Sequence, residues 1–129
     1  MKNKFLQTGE SGYHPLRKVR VVFSGIRFGV LLDIGVSYKL LLSAFILVLS
    51  IYFHDWIDLM VILIATAQVL AAELFNTAIE ALCDFVETAR NEKIRVIKDI
   101  SAAAAGISIV AWAIVIVYEY YKLVIRLMG

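Results

Sequence analysis

Residues 73–85 read ELFNTAIEALCDF. The run sets Glu73, Asn76, Glu80 and Asp84 among residues apolar enough to sit in lipid. On a helix turning about 100° per residue, with Glu73 at zero, Asn76 falls at about −60°, Glu80 at about −20° and Asp84 at about +20°. The four side chains therefore share one narrow stripe. An ionisable group at membrane depth is costly, and it normally faces a bundle interior or a wet cavity where it has work to do. The structural alternative is a set of interhelical hydrogen bonds and a salt bridge. Asp84, near the end of the run, is the member most open to it.

Composition supports lipid as the solvent. The chain has 129 residues, 61% of them hydrophobic, with mean hydropathy +0.82. A water-soluble domain of this size has too little interior to hide that much apolar surface. A net charge of +2 gives no case for a nucleic-acid partner. The single cysteine, Cys83, has no partner in the chain and reads as a small packing residue. The first fourteen residues hold no apolar core of a signal peptide, so membrane insertion is expected from the helices themselves.

The periodicity predicts an all-α membrane protein in one domain, 1–129: a loose polar tail over 1–14, a surface helix over 15–28, and transmembrane helices over 30–53, 57–86 and 98–121. Pro15 suits the first position of a helix. After it, Leu16, Val19, Val22, Phe23 and Ile26 recur at helical spacing, with Arg17, Lys18, Arg20 and Arg27 between them. That is the pattern of a basic amphipathic helix on an anionic membrane surface. Each spanning candidate is long enough for about 30 Å of hydrocarbon. The tail, the surface helix and the second connector, with Arg90, Lys93 and Arg95, are basic; the first connector has no Lys or Arg. The positive-inside bias therefore puts the N-terminus and second connector in the cytoplasm, against the pull of Lys122 and Arg126 at the other end. Tyr52, Trp56, Tyr118, Tyr120 and Tyr121 fit an outer aromatic belt. Ala67, Ala71, Ala72, Ala78 and Ala81 in the second span, and 102–106 in the third, are expected to permit close helix approach.

Depth brings the acids together. Asp33 lies about 30 Å before Phe53, and Glu80 about 35 Å beyond Ile57, so both reach the cytoplasmic headgroups. Glu73 sits about 10 Å deeper on the same stripe. Lys98 and Asp99 enter the third span at that boundary. Facing carboxylates repel unless a cation lies between them. Carboxylate oxygens suit Mg²⁺, which commonly arrives with phosphates. A proton relay or ion path would use the same acids. The chain has none of the glycine-rich nucleotide loops, no kinase catalytic loop and no H-E-x-x-H. Gly25 and Gly29 form a G-x-x-x-G within the amphipathic segment, a weak signal there. Trp112 reads as a core or lipid-facing residue.

The stretch AAELFNTAIEALCDF, followed by KDISAAAAG, resembles the small bacterial membrane lipid kinases, diacylglycerol kinase and undecaprenol kinase. The resemblance covers nearly the whole chain. It implies a homotrimer with active sites shared between subunits at the cytoplasmic face of the inner membrane, using Mg-ATP. It implies that Glu73 is the general base, that Glu80 and Asp33 hold the metal, and that Lys98, Asp99 and Glu80 contact ATP. Asn76 and Asp84 match positioning residues, and Arg17 stands for an upstream nucleotide-contacting arginine. The chain departs from the family in its first span. Asp33 occupies a glutamate position, and Gly35, Val36 and Ser37 replace the usual sequence after it. The resemblance implies ATP-dependent phosphorylation of diacylglycerol to phosphatidic acid, with undecaprenol as the other acceptor. A non-catalytic acidic-stripe pathway, or a scaffold that has lost activity, is the competing class.

Overall fold

The structure, a computed structural model, describes residues 15–32, 34–52 and 56–128. The expected tail over 1–14, Asp33 and Phe53 lie outside the described residues. Four helices follow in order: α1 (Pro15–Leu32), α2 (Ile34–Tyr52), α3 (Trp56–Val86) and α4 (Glu92–Met128). The last three are each long and apolar enough to cross a membrane.

Three boundaries differ from the sequence reading, each for a local reason. Residues 30–32 continue α1 instead of opening the first span. Gly29 lets that extension lie against α3, because the absent Cβ would collide with Leu74 Cδ2. Helix α4 begins at Glu92 rather than at 98. Asn91 caps it: its side-chain oxygen accepts a hydrogen bond from the Lys93 amide at 3.0 Å, and Glu92 adds a negative charge to the first turn. At its other end α4 runs past 121 to Met128, since YKLVIRLM contains no helix breaker. Its 37 residues span about 55 Å, more than a hydrocarbon layer.

The G-x-x-x-G of α1 is used only by half. A Cβ at Gly25 would meet open space, whereas one at Gly29 meets the Leu74 side chain. We therefore expect Gly25→Ala to leave resistance to detergent denaturation unchanged and Gly29→Ala to lower it, with Leu74 forced to another rotamer. Equal effects at both sites would show that α1 does not rest on α3 through Gly29.

The interior follows helical spacing on all three long helices. Val36, Lys39, Ser43, Ile46 and Ser50 are buried on α2, and Ile62, Thr66, Val69, Glu73 and Cys83 on α3. Ser101, Ala105, Ser108, Trp112, Ile116 and Glu119 are buried on α4. Steps of three and four residues between most of these positions make one stripe per helix. Ile46, Ile62, Val69, Trp112 and Ile116 meet in a hydrophobic cluster. Trp112 donates from Nε1 to Ser43 Oγ at 2.9 Å and meets the Tyr38 ring edge-on. It is a core residue, one of the two placements expected for it.

The outward faces are the apolar ones. Leu41, Phe45, Val48, Phe75, Ile107 and Ile114 are all exposed. Such a surface is untenable in water and ordinary in lipid, while Lys39, Glu73 and Trp112 turn their polar atoms inward to partners. Most of the alanines of α3 and α4 face out of the chain. Ala67, Ala71, Ala78, Ala81 and residues 102–104 lie on exposed faces. Serines and Ala105 provide the small buried contacts within the chain instead.

Candidate functional site

The acid stripe of α3 descends from buried to exposed. Glu73 is buried, Asn76 and Glu80 are half-buried, and Asp84 is exposed. Each makes its contact toward protein. At the deepest level Glu73 Oε1 lies 2.6 Å from Lys39 Nζ on α2, with Lys39 only 3% and Glu73 8% exposed. Lys39 Nζ also donates to the Gly35 carbonyl at 3.1 Å and stands 4.8 Å from the Tyr38 ring centroid. One turn of α3 further on, Thr77 Oγ1 donates to the Glu73 carbonyl at 3.0 Å.

The next level joins α3 to the head of α4. Asn76 Nδ2 donates to Glu80 Oε1 at 2.9 Å, and Ser101 Oγ donates to Asn76 Oδ1 at 2.7 Å. Ser101 Oγ is also 3.0 Å from the Lys98 carbonyl, so its single proton is divided between two acceptors. Asn76 is thereby fixed in the orientation that offers its amide protons to Glu80. Lower still, Lys98 Nζ donates to Asp84 Oδ1 at 2.6 Å.

Asp99 turns along its own helix to Arg95, 3.4 Å away, and Arg95 also bonds Glu92 at 2.8 Å. Lys98 and Asp99 therefore diverge, one toward the acid stripe and one toward the connector end of α4. Arg17 is exposed on α1. No three His, Cys, Asp or Glu side chains among the described residues gather closely enough to cage a metal ion.

The residues fit Mg²⁺ in a narrower sense. Glu80 offers hard oxygens, one of them already oriented by Asn76, at the edge of an open groove. Mg²⁺ is ordinarily held by one or two carboxylates together with substrate phosphates and water, so a complete protein cage is not required. The groove lies between α1 and α3, encloses about 650 Å³, and is lined by Val22, Ile26, Phe28, Leu74, Ala78 and Glu80 among others. Its walls are apolar apart from Thr77 and Glu80.

Sequence reasoning missed Lys39 and Ser101 as members of the site. Depth held the signal: Lys39 lies about 20 Å from the end of α2 and Glu73 about 25 Å into α3, at nearly one level. A lysine and a glutamate buried at one height on adjacent helices require each other. Ser101 was hidden in a run of small residues.

A second polar cluster lies at the other end of the bundle. Lys122 on α4 forms ion pairs with Asp58 on α3 and with Glu119, the latter at 3.3 Å. The Lys122 charge that ran against the orientation reading thus has carboxylate partners within the fold.

Comparison with curated proteins and with solved structures yielded no match. Among protein families, the model described as prokaryotic diacylglycerol kinase matches residues 20–120. That span includes Lys39, the whole acid stripe of α3 and the head of α4 with Ser101, and leaves out Arg17. With three helices able to span a bilayer and their polar groups turned inward at the residues that carry the family's pattern, this multi-pass membrane chain belongs to the prokaryotic diacylglycerol kinase family.

Proposed function

We propose that the protein is an ATP-dependent lipid kinase, which transfers the γ-phosphate of Mg-ATP to the hydroxyl of diacylglycerol and so makes phosphatidic acid. The observation that carries this reading is the bonded chain from Glu80 through Asn76 to Ser101, with Asp84 and Lys98 beside it. It unites the acid stripe of α3 with the basic entry of α4. An ion path has no need of such a lysine; a nucleotide site does.

In this reading the acyl chains lie in the groove between α1 and α3, which suits them in size and apolarity. Glu73 accepts the hydroxyl proton as the lipid oxygen attacks the γ-phosphorus, and ADP leaves with the electrons of the broken P–O bond. Glu80, with Asp33, would hold Mg²⁺, whose charge would neutralise the phosphate oxygens. Lys98 exchanges Asp84 for a phosphate oxygen. Asp99 and Arg17 add nucleotide contacts, and Asn76 keeps Glu80 oriented. Phosphoryl transfer asks the protein mainly for positioning and charge neutralisation, which is what this set offers.

The N-terminus and the α3–α4 connector face the cytoplasm of a bacterial inner membrane in this reading, where ATP is available. A homotrimer with shared sites is supported by family membership and by the exposed alanine faces of α3 and α4, which allow close approach of another copy.

The test is direct. Purified protein in mixed micelles receives Mg-ATP with diacylglycerol in one arm and undecaprenol in another, and labelled phosphate in the lipid fraction is counted. Transfer to diacylglycerol is expected. Transfer to undecaprenol alone would reassign the acceptor, and transfer to neither would overturn the reading.

A further inference from the structure

The ion pair between Lys39 and Glu73 is the most deeply buried charge contact described between two helices, and the proposed reaction does not yet use its cation. An isolated ammonium within a span is costly, so Lys39 is held there by what it touches. Its Nζ has two described acceptors: Glu73 Oε1 at 2.6 Å and the Gly35 carbonyl at 3.1 Å. The Gly35 bond closes one turn of α2 and fixes where the long side chain ends. The Tyr38 ring lies against the same ammonium. The contact to Glu73 involves Oε1 alone.

From this geometry we infer that Lys39 is a positioning residue of the phosphoryl-transfer site, one that occupies Glu73 Oε1 and fixes the side chain, leaving Oε2 as the oxygen that takes the acceptor's proton. The inference rests on Glu73 being the base.

A glutamate side chain has three rotatable bonds, and a base serves only when one oxygen is held within reach of the proton it takes. Lys39 meets that need with a single contact from α2. The proton balance is complete. The lipid O–H bond breaks, its proton goes to Oε2, the lipid oxygen bonds phosphorus, and the Pγ–O bond to ADP breaks with its electrons leaving on ADP.

A structural role alone predicts something different: loss of stability, with whatever protein remains folded turning over normally. Steady-state kinetics on the folded fraction, isolated as a single peak by gel filtration in detergent, separates the two. We expect Lys39→Met to lower kcat by about 10- to 100-fold, the scale seen when a group orienting a functional side chain is lost, with KM for ATP unchanged. Lys39→Arg, which keeps the charge but not the single-point geometry, is expected to recover only part of kcat. In a Glu73→Gln background, Lys39→Met is expected to cost no further activity, because groups acting as a unit are not additive. Lys39→Met with the parent's kcat would overturn the inference while leaving Glu73 as the base. Turnover surviving in Glu73→Gln would remove the base itself. Should Lys39→Met not fold, Lys39→Arg decides: an intermediate kcat at the parent's KM supports the role, and the parent's kcat overturns it.

Discussion

Replacing Glu73 by glutamine is expected to lower kcat for lipid phosphorylation by about 10²–10⁴-fold, the range that general-base catalysis supplies, with ATP binding largely retained. The substitution is nearly isosteric and leaves an oxygen able to accept from Lys39 Nζ, but it removes the proton acceptor. It also leaves the Lys39 ammonium buried without its counter-charge. Breaking a buried pair from one side costs about 3–5 kcal/mol, so the variant will be less stable than its parent. The two effects separate by measurement. Turnover at saturating substrate reports the base, and equilibrium binding of ATP reports the proposed nucleotide contacts near Glu80, about 10 Å further along the stripe. A kcat equal to the parent's would strip Glu73 of its role. A joint collapse of kcat and ATP affinity would make it a structural residue.

The second large effect belongs to the opposite end of the bundle. Lys122 stands between Asp58 and Glu119, whose side chains are mostly buried, and it joins α3 to α4 far from the proposed site. Lys122→Met removes a cation that contacts both carboxylates and takes away the ion-pair bridge between α3 and α4. We expect a loss of about 3 kcal/mol in resistance to SDS-induced unfolding, at the low end for buried pairs because Lys122 itself is partly exposed. The turnover of the surviving folded protein should stay near the parent's. Adding Glu119→Gln should return part of the stability by removing one of the two carboxylate charges. An unchanged unfolding midpoint in Lys122→Met would mean that water screens this cluster and that α3 and α4 are joined by their apolar contacts alone.

Both predictions concern charges in an apolar chain, and they show where sequence reading succeeds and where it stops. Helical spacing put Glu73, Asn76, Glu80 and Asp84 on one stripe, and that stripe does turn toward protein along its length. The second span was legible to within one residue at its start. Trp112, read as core or lipid-facing, is core. The boundaries of α1 and α4 were less legible, because they depend on one close approach at Gly29 and one cap at Asn91. The alanine runs marked small faces without naming what packs on them. A small residue permits close approach wherever it lies, and the rotation of its helix decides whether anything in the same chain approaches.

What the sequence by itself determined is the class of object: three apolar helices that water cannot solvate, the second carrying its acids at a spacing that confines them to one stripe. Those properties follow from the period of the helix and the cost of polar groups in lipid, and both are local. What only the tertiary structure decided is which helix answers which. Glu73 is met by Lys39 of α2, Asn76 by Ser101 of α4, Asp84 by Lys98, and Asp58 by Lys122. The physical reason is that a pair at 2.6 Å requires two helices to agree in height and in rotation about their axes. Packing sets that agreement, and no single helix contains it.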